Sequence, residues 1–135
     1  MNIICQLLPG SAIKAKGQWP WPDHLGIVGR SLWDGTLTVI DSTEHGVNVR
    51  TMEQFALGRE LELQWVPQTI GQQNAALERA YSQIGRPYDL FHANCEHFVH
   101  WVVTGEIKSP QLRSYFAVAG LLGLAALAVH QPGKR

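Results

Sequence analysis

Between His24 and Val66 the chain is cut by turn-forming residues into short extended runs, which restricts this half to a sheet of brief strands. His24–Gly29 and Thr36–Asp41 are separated by Asp34-Gly35, a dipeptide suited to a tight turn between paired strands. Val47–Arg50 predicts a third strand. Thr51-Met52-Glu53-Gln54 has capping-box spacing, so a short helix opens at Thr51 and Gly58 closes it. From Glu60 to Val66, Leu61, Leu63 and Trp65 alternate with Glu60, Glu62 and Gln64, the pattern of a strand with one wet face. Upstream, Leu7–Ser11 reads as a strand end or turn. Gly17–Asp23 reads as an irregular loop that Pro20 and Pro22 hold extended.

The second half changes period. Over Gln72–Ile84, Leu77, Ala80, Tyr81 and Ile84 recur at helical spacing, and Gly85 stops the helix. Arg86-Pro87-Tyr88-Asp89 predicts a loop. Asn94 is a suitable N-cap for a helix from Cys95 to Thr104, ended at Gly105. After Ser109-Pro110 a helix restarts and is uncharged from Tyr115 to Val129. That stretch is shorter than the ~20 residues a spanning helix needs. It reads equally as a tail anchor or interfacial segment and as a core or partner-binding helix.

With 135 residues there is room for one domain. Basic and acidic residues balance at 11 each, and no basic stripe is present, so nucleic acid is not an expected partner. The N-terminus lacks the basic region of a signal peptide. Two cysteines, Cys5 and Cys95, make no disulfide framework, and a reducing, cytoplasmic setting is expected. Cys5 lies in the apolar run Ile3–Leu8 and reads as a small buried hydrophobe.

Cys95 is different. On its helix it shares a face with Phe98, Val99 and Val102, while His97 and His100 fall on the other side. Its place in the first turn favours an anion, but a dipole of roughly 0.3–1 kcal/mol lowers a thiol pKa by less than ~1 unit. An effective thiolate therefore needs a neighbouring cation, usually an imidazolium. His24, opening an apolar strand, is the candidate, although read alone it is equally a strand-end surface histidine. Asp41 would lie beside His24 if the two strands pair through the Asp34-Gly35 turn, and is the candidate third group; an Asx-turn role suits it as well. His45 is a weaker choice, in a loop. Zinc is a rival, because His92, Cys95, His97 and His100 are dense. The histidines on the helix face away from Cys95 and no CxxC or HxxxH spacing occurs, so neither a metal nor another cofactor is expected.

Asn94-Cys95-Glu96-His97-Phe98-Val99, with Tyr88-Asp89 before it and Gly105 after it, resembles the signature of the lecithin retinol acyltransferase family. Pro9-Gly10, His24-Leu25-Gly26-Ile27-Val28-Gly29, Val39-Ile40-Asp41 and Gly46-Val47 are similar to the rest of its pattern. The resemblance covers roughly residues 8–112. It implies an α+β, circularly permuted papain-like fold, with an antiparallel sheet packed on the nucleophile-bearing helix. On that expectation residues 1–112 form the thiol hydrolase or acyltransferase domain, and 113–135 an apolar C-terminal helix with a basic end. The resemblance further implies acyl transfer or hydrolysis through a Cys95 thioester with His24 as base, on a phospholipid or other lipid ester. Membrane association through 115–129 would then bring the enzyme to its substrate. Animal members usually carry a second histidine where this chain has Asp41, and a carboxylate orients an imidazole equally well. A peptidase or amidase of the NlpC type, and a non-catalytic binding module, are the alternative functions.

Overall fold

The computed structural model describes residues 7–86 and 95–106. Five strands form one antiparallel sheet: β1 (Ala12–Ala15), β2 (His24–Arg30), β3 (Leu37–Thr43), β4 (Gly46–Thr51) and β5 (Leu61–Trp65), in the order β4-β3-β2-β1-β5. The helices are α1 (Met52–Ala56), α2 (Ile70–Ser82) and α3 (Cys95–Thr104). The fold class is therefore α+β. Alternation along the strands splits the core into two layers. Ala12, Ile27, Ile40 and Val47 face α2 and α3 and pack with Ala76, Ala80, Phe98, Val99 and Val102. Ile13, Ala15, Val28 and Val39 face the other way, with Leu7 and with Phe55 of α1.

The strands at 24–30 and 46–51 contain the expected runs, the strand at 37–43 begins one residue after the expected Thr36, and β2 pairs with β3 through the Asp34-Gly35 turn, where Gly35 has φ +71°. Thr51 makes both halves of its capping box with Gln54. The end of α1 differs: Leu57 already adopts the left-handed conformation, at φ 49°, one residue before Gly58. Gly26 is required by packing, since a Cβ there would stand 2.5 Å from Val39 Cγ1 and 2.9 Å from Phe55 Cε1.

Three features depart from the sequence expectation. β1 is a central strand that the composition Ala-Ile-Lys-Ala conceals, because alanine and lysine are poor strand formers. On β5, Leu61 and Leu63 pack in the α1-side layer but Trp65 packs in the helix-side layer. The cause is a register break: Ile13 stands opposite Leu63 and Ala12 opposite Trp65, so one extra residue, Gln64, carries the indole across the sheet. Finally, α2 begins at Ile70 with Thr69 as its N-cap and buries Ala76, Arg79 and Ala80, leaving Tyr81 and Ile84 about two-fifths exposed. The small alanines let α2 come close to its neighbours. Arg79 then donates from Nε to the Val102 carbonyl at 2.8 Å and from Nη2 to Val103 at 3.4 Å. These carbonyls belong to the last turn of α3, where no intrahelical donor reaches them. In this way α2 fixes the helix that carries Cys95.

The expected loop after Arg86, the Asn94 cap, Cys5 and the apolar segment 115–129 lie outside the described residues. Among those described, no helix is long and apolar enough to cross a membrane.

Candidate active site

The β2–β3 ladder runs from Arg30 opposite Leu37 to Ile27 opposite Ile40 and stops there. Beyond that point β2 and β3 are no longer paired with each other, and α3 meets β2 there with its first residue: Leu25 N–H donates to Cys95 Sγ at 3.4 Å. Phe98, Val99 and Val102 on the same helix are buried against the sheet, as the spacing predicts, while His97 and His100 are part-exposed.

His24, one residue before Leu25, is 21% exposed and packs its ring against Phe55, centroid to centroid 5.3 Å. Its Nε2 lies 2.7 Å from Asp41 Oδ2. Asp41 is an interior residue of β3 with no exposed surface, not a turn residue. With Nε2 engaged by the carboxylate, Nδ1 is the nitrogen left to face the thiol. The structure thus brings together Cys95, His24 and Asp41. His45 stands apart in the β3–β4 turn, with its side chain 81% exposed, beside Glu44.

Sequence reasoning missed Arg50, which donates from Nε to Asp41 Oδ1 at 3.1 Å. The signal was available only through register. A turn at residues 44–45 pairs β3 with β4 so that Arg50 stands opposite Val39, on the face that Asp41 shares.

The electrostatics favour an ion pair. Burial is the largest influence on His24 and pushes its pKa down. The hydrogen bonds and charges of Asp41 and Cys95 together outweigh burial and raise it from 6.5 to about 9. For Cys95, burial pushes the thiol up, while the His24 imidazolium and the Leu25 N–H together carry it below its ordinary value.

These opposed shifts govern stability against pH. A raised histidine stabilises the fold fully below its unfolded value near 6.5, and the contribution is lost as pH rises through about 9. A lowered thiol contributes above its unfolded value of 9.0, and the contribution is lost as pH falls through its depressed pKa. Between those limits folding merely moves a proton from sulfur to nitrogen, and the two dependences offset each other. Cys95→Ala is expected to uncover the part of the histidine contribution that Asp41 supplies, without the part that Cys95 supplies. Its unfolding free energy in urea should decline above pH 6.5 more steeply than that of the wild type; identical slopes would show that the two groups are not coupled.

Among the described residues no cluster of three or more histidine, cysteine or acidic side chains is placed to hold a metal ion, and His92 lies outside them.

A family model described as lecithin retinol acyltransferase matches residues 31–108. Asp41, Arg50 and Cys95 fall inside that match, and His24 precedes it. Lecithin retinol acyltransferase of Rattus norvegicus is 32% identical over 81 residues, covering 56% of this chain and 35% of the relative. The protein of the same name from Mus musculus is 33% identical over 75 residues, covering 52% of this chain and 32% of the relative. The chain thus spans about a third of the length of these curated relatives. With more than half of its length matched by the family model, the chain belongs to the lecithin retinol acyltransferase family.

Proposed function

We propose that this protein transfers or hydrolyses acyl groups of lipid esters, phospholipids foremost, through a thioester on Cys95. The observation that carries the reading is Cys95, at the first residue of α3, against the N–H of Leu25, with the neighbouring His24 held by Asp41. The Cys95 thiolate attacks the ester carbonyl carbon. The resulting oxyanion forms beside the N-terminus of α3, the end at which the helix dipole favours negative charge. As the C–O bond breaks, His24 gives its proton to the departing alcohol, leaving an acyl thioester and a neutral imidazole. Water or an acceptor nucleophile then attacks the thioester; His24 takes the nucleophile's proton and sulfur leaves as thiolate. Asp41 holds the imidazole so that Nδ1 faces sulfur throughout.

In chain order the histidine strand precedes the cysteine helix, which suits a circularly permuted papain-like domain over residues 1–112. The apolar segment 115–129 would then be a lipid-contacting tail. A lipid substrate is further supported by Trp19 and Trp21, 95% and 69% exposed in the loop that leads into His24. Indole rings partition to the bilayer interface. Gly17 N–H to Asp23 Oδ1 at 2.6 Å and Arg59 Nη1 to the Pro22 carbonyl at 3.0 Å hold that loop in shape.

The test is intact-mass analysis after incubation with phosphatidylcholine vesicles. Wild type should gain one acyl group, mapped to Cys95, and Cys95→Ala should gain none. Absence of an adduct, under conditions where iodoacetamide alkylates Cys95 rapidly, would remove the ester reading. Hydrolysis of acyl amides by the same preparation would then move the substrate class to amides.

A further inference from the structure

Arg50 has no part in the steps above, yet its guanidinium completes the buried end of the site. Asp41 is fully buried and uses its two oxygens separately, Oδ2 for His24 at 2.7 Å and Oδ1 for Arg50 at 3.1 Å. The Arg50 side chain is 31% exposed, and its Nε is on the carboxylate. We propose that Arg50 is a positioning residue that balances the Asp41 charge and so leaves His24 free to release its proton to the leaving group. The proposal rests on the reading of Cys95 as nucleophile and His24 as base.

The physical argument is one of charge compensation. If His24 were the only counter-charge to a buried carboxylate, each proton transfer to a leaving group would strand an uncompensated buried anion. The imidazolium would then hold its proton too tightly to act as an acid. Arg50 compensates Asp41 whichever state His24 is in. Arginine suits the task, since its guanidinium does not lose its own proton in a protein. The arrangement also orients: with Oδ1 held by Arg50, Oδ2 is directed to Nε2.

The other groups around His24 leave this role open. β1 sets Ala15 opposite it, α1 contributes the Phe55 ring, and α3 contributes Cys95. Asp23 turns its carboxylate to Gly17 N–H and to Lys14 of β1. Glu53 on α1 and Glu96 on α3 are exposed, and His97 is part-exposed. Among the described residues Arg50 is the one cation besides His24 within ion-pair distance of Asp41.

The test follows iodoacetamide alkylation of Cys95 against pH by peptide mapping, which separates it from Cys5 and needs no substrate. Two inflections are expected in the wild type: a lower one as the thiolate–imidazolium pair forms, and an upper one as the imidazolium loses its proton. Arg50→Gln should move the upper inflection to higher pH, on the order of one unit for a charge lost from the far side of Asp41. On the acyl substrate it should lower kcat by about tenfold with KM little changed. Arg50→Lys, which keeps the charge, should hold the inflection within a few tenths of a unit. Arg50→Gln with reduced stability but an unmoved inflection would make Arg50 structural only and overturn the proposal. If Arg50→Gln does not fold, Arg50→Lys decides: a folded variant with the inflection displaced overturns the charge role, and one with it retained supports it. Loss of the lower inflection in His24→Ala must accompany these results, leaving the single high-pH step of an unassisted thiol. Should the lower inflection survive there, the assignment of His24 as base falls, and the role of Arg50 with it; with the lower inflection lost there and the upper one unmoved in Arg50→Gln, Arg50 alone is wrongly placed.

Discussion

His24→Ala is expected to lower turnover by roughly 10²–10⁴-fold, the range in which a positioned acid–base group contributes. The loss has two sources that separate experimentally. One is proton transfer, since no other imidazole among the described residues approaches Cys95: His45 is out in a turn, and His97 and His100 lie off the buried face of α3. The other is the state of the nucleophile. Burial pushes the Cys95 thiol up, and the His24 imidazolium is the principal opposing influence, with the Leu25 N–H behind it. With the imidazole removed, burial prevails, and at pH 7 the thiolate fraction should fall below the few per cent of a free thiol. Iodoacetamide labelling of Cys95 at pH 7 should therefore slow in parallel with kcat, and both should partly recover at high pH. Wild-type labelling in folded His24→Ala would mean that the helix N-terminus alone activates Cys95, and that the histidine serves packing against Phe55.

The parts of this site that were legible in the sequence are those fixed within one element. The α3 face follows from the spacing of Cys95, Phe98, Val99 and Val102, and the approach of Asp41 to His24 follows from the Asp34-Gly35 turn between two clear strands. What stayed hidden depends on relations between elements. β1 has no strand-like composition and is a strand because β2 and β5 flank it. Trp65 crosses to the other layer through a bulge that alternation cannot reveal. The buried face of α2 is set by Ala76, Ala80 and the reach of Arg79 to the end of α3, whereas the larger Tyr81 and Ile84 looked like the core. Arg50 joins the site only through a diagonal across β3 and β4. Each of these is a matter of register or of small side chains permitting close approach, and neither leaves a periodic mark.

Asp41→Asn should be nearly as damaging as loss of the histidine, with turnover again reduced by roughly 10²–10⁴-fold although the side chain keeps its shape. The reason lies in the donors on either side. Arg50 offers only N–H, so it takes the amide oxygen of Asn in place of Oδ1. The amide NH₂ is then left to face His24 Nε2, where the carboxylate Oδ2 now stands at 2.7 Å. A donor at that position makes Nε2 an acceptor and places the neutral ring's single proton on Nδ1. That is the nitrogen which must accept the thiol proton, so the ring is locked in the wrong tautomer for a base. Loss of the carboxylate charge acts in the same direction, because the hydrogen bond to Asp41 is the strongest influence raising His24 against burial. The imidazolium should lose its proton below the wild-type value of about 9, and Cys95 labelling should shift towards that of an ordinary thiol. Asp41→Glu tests geometry against charge: it keeps the carboxylate but carries it one methylene further into a fully buried position, where overpacking costs about 1–3 kcal/mol. Retained labelling with lowered stability in Asp41→Glu, beside lost labelling with a wild-type circular dichroism spectrum in Asp41→Asn, is the expected pair of results. Unchanged labelling and turnover in Asp41→Asn would remove Asp41 from the mechanism and leave it as a buried ion-pair partner of Arg50.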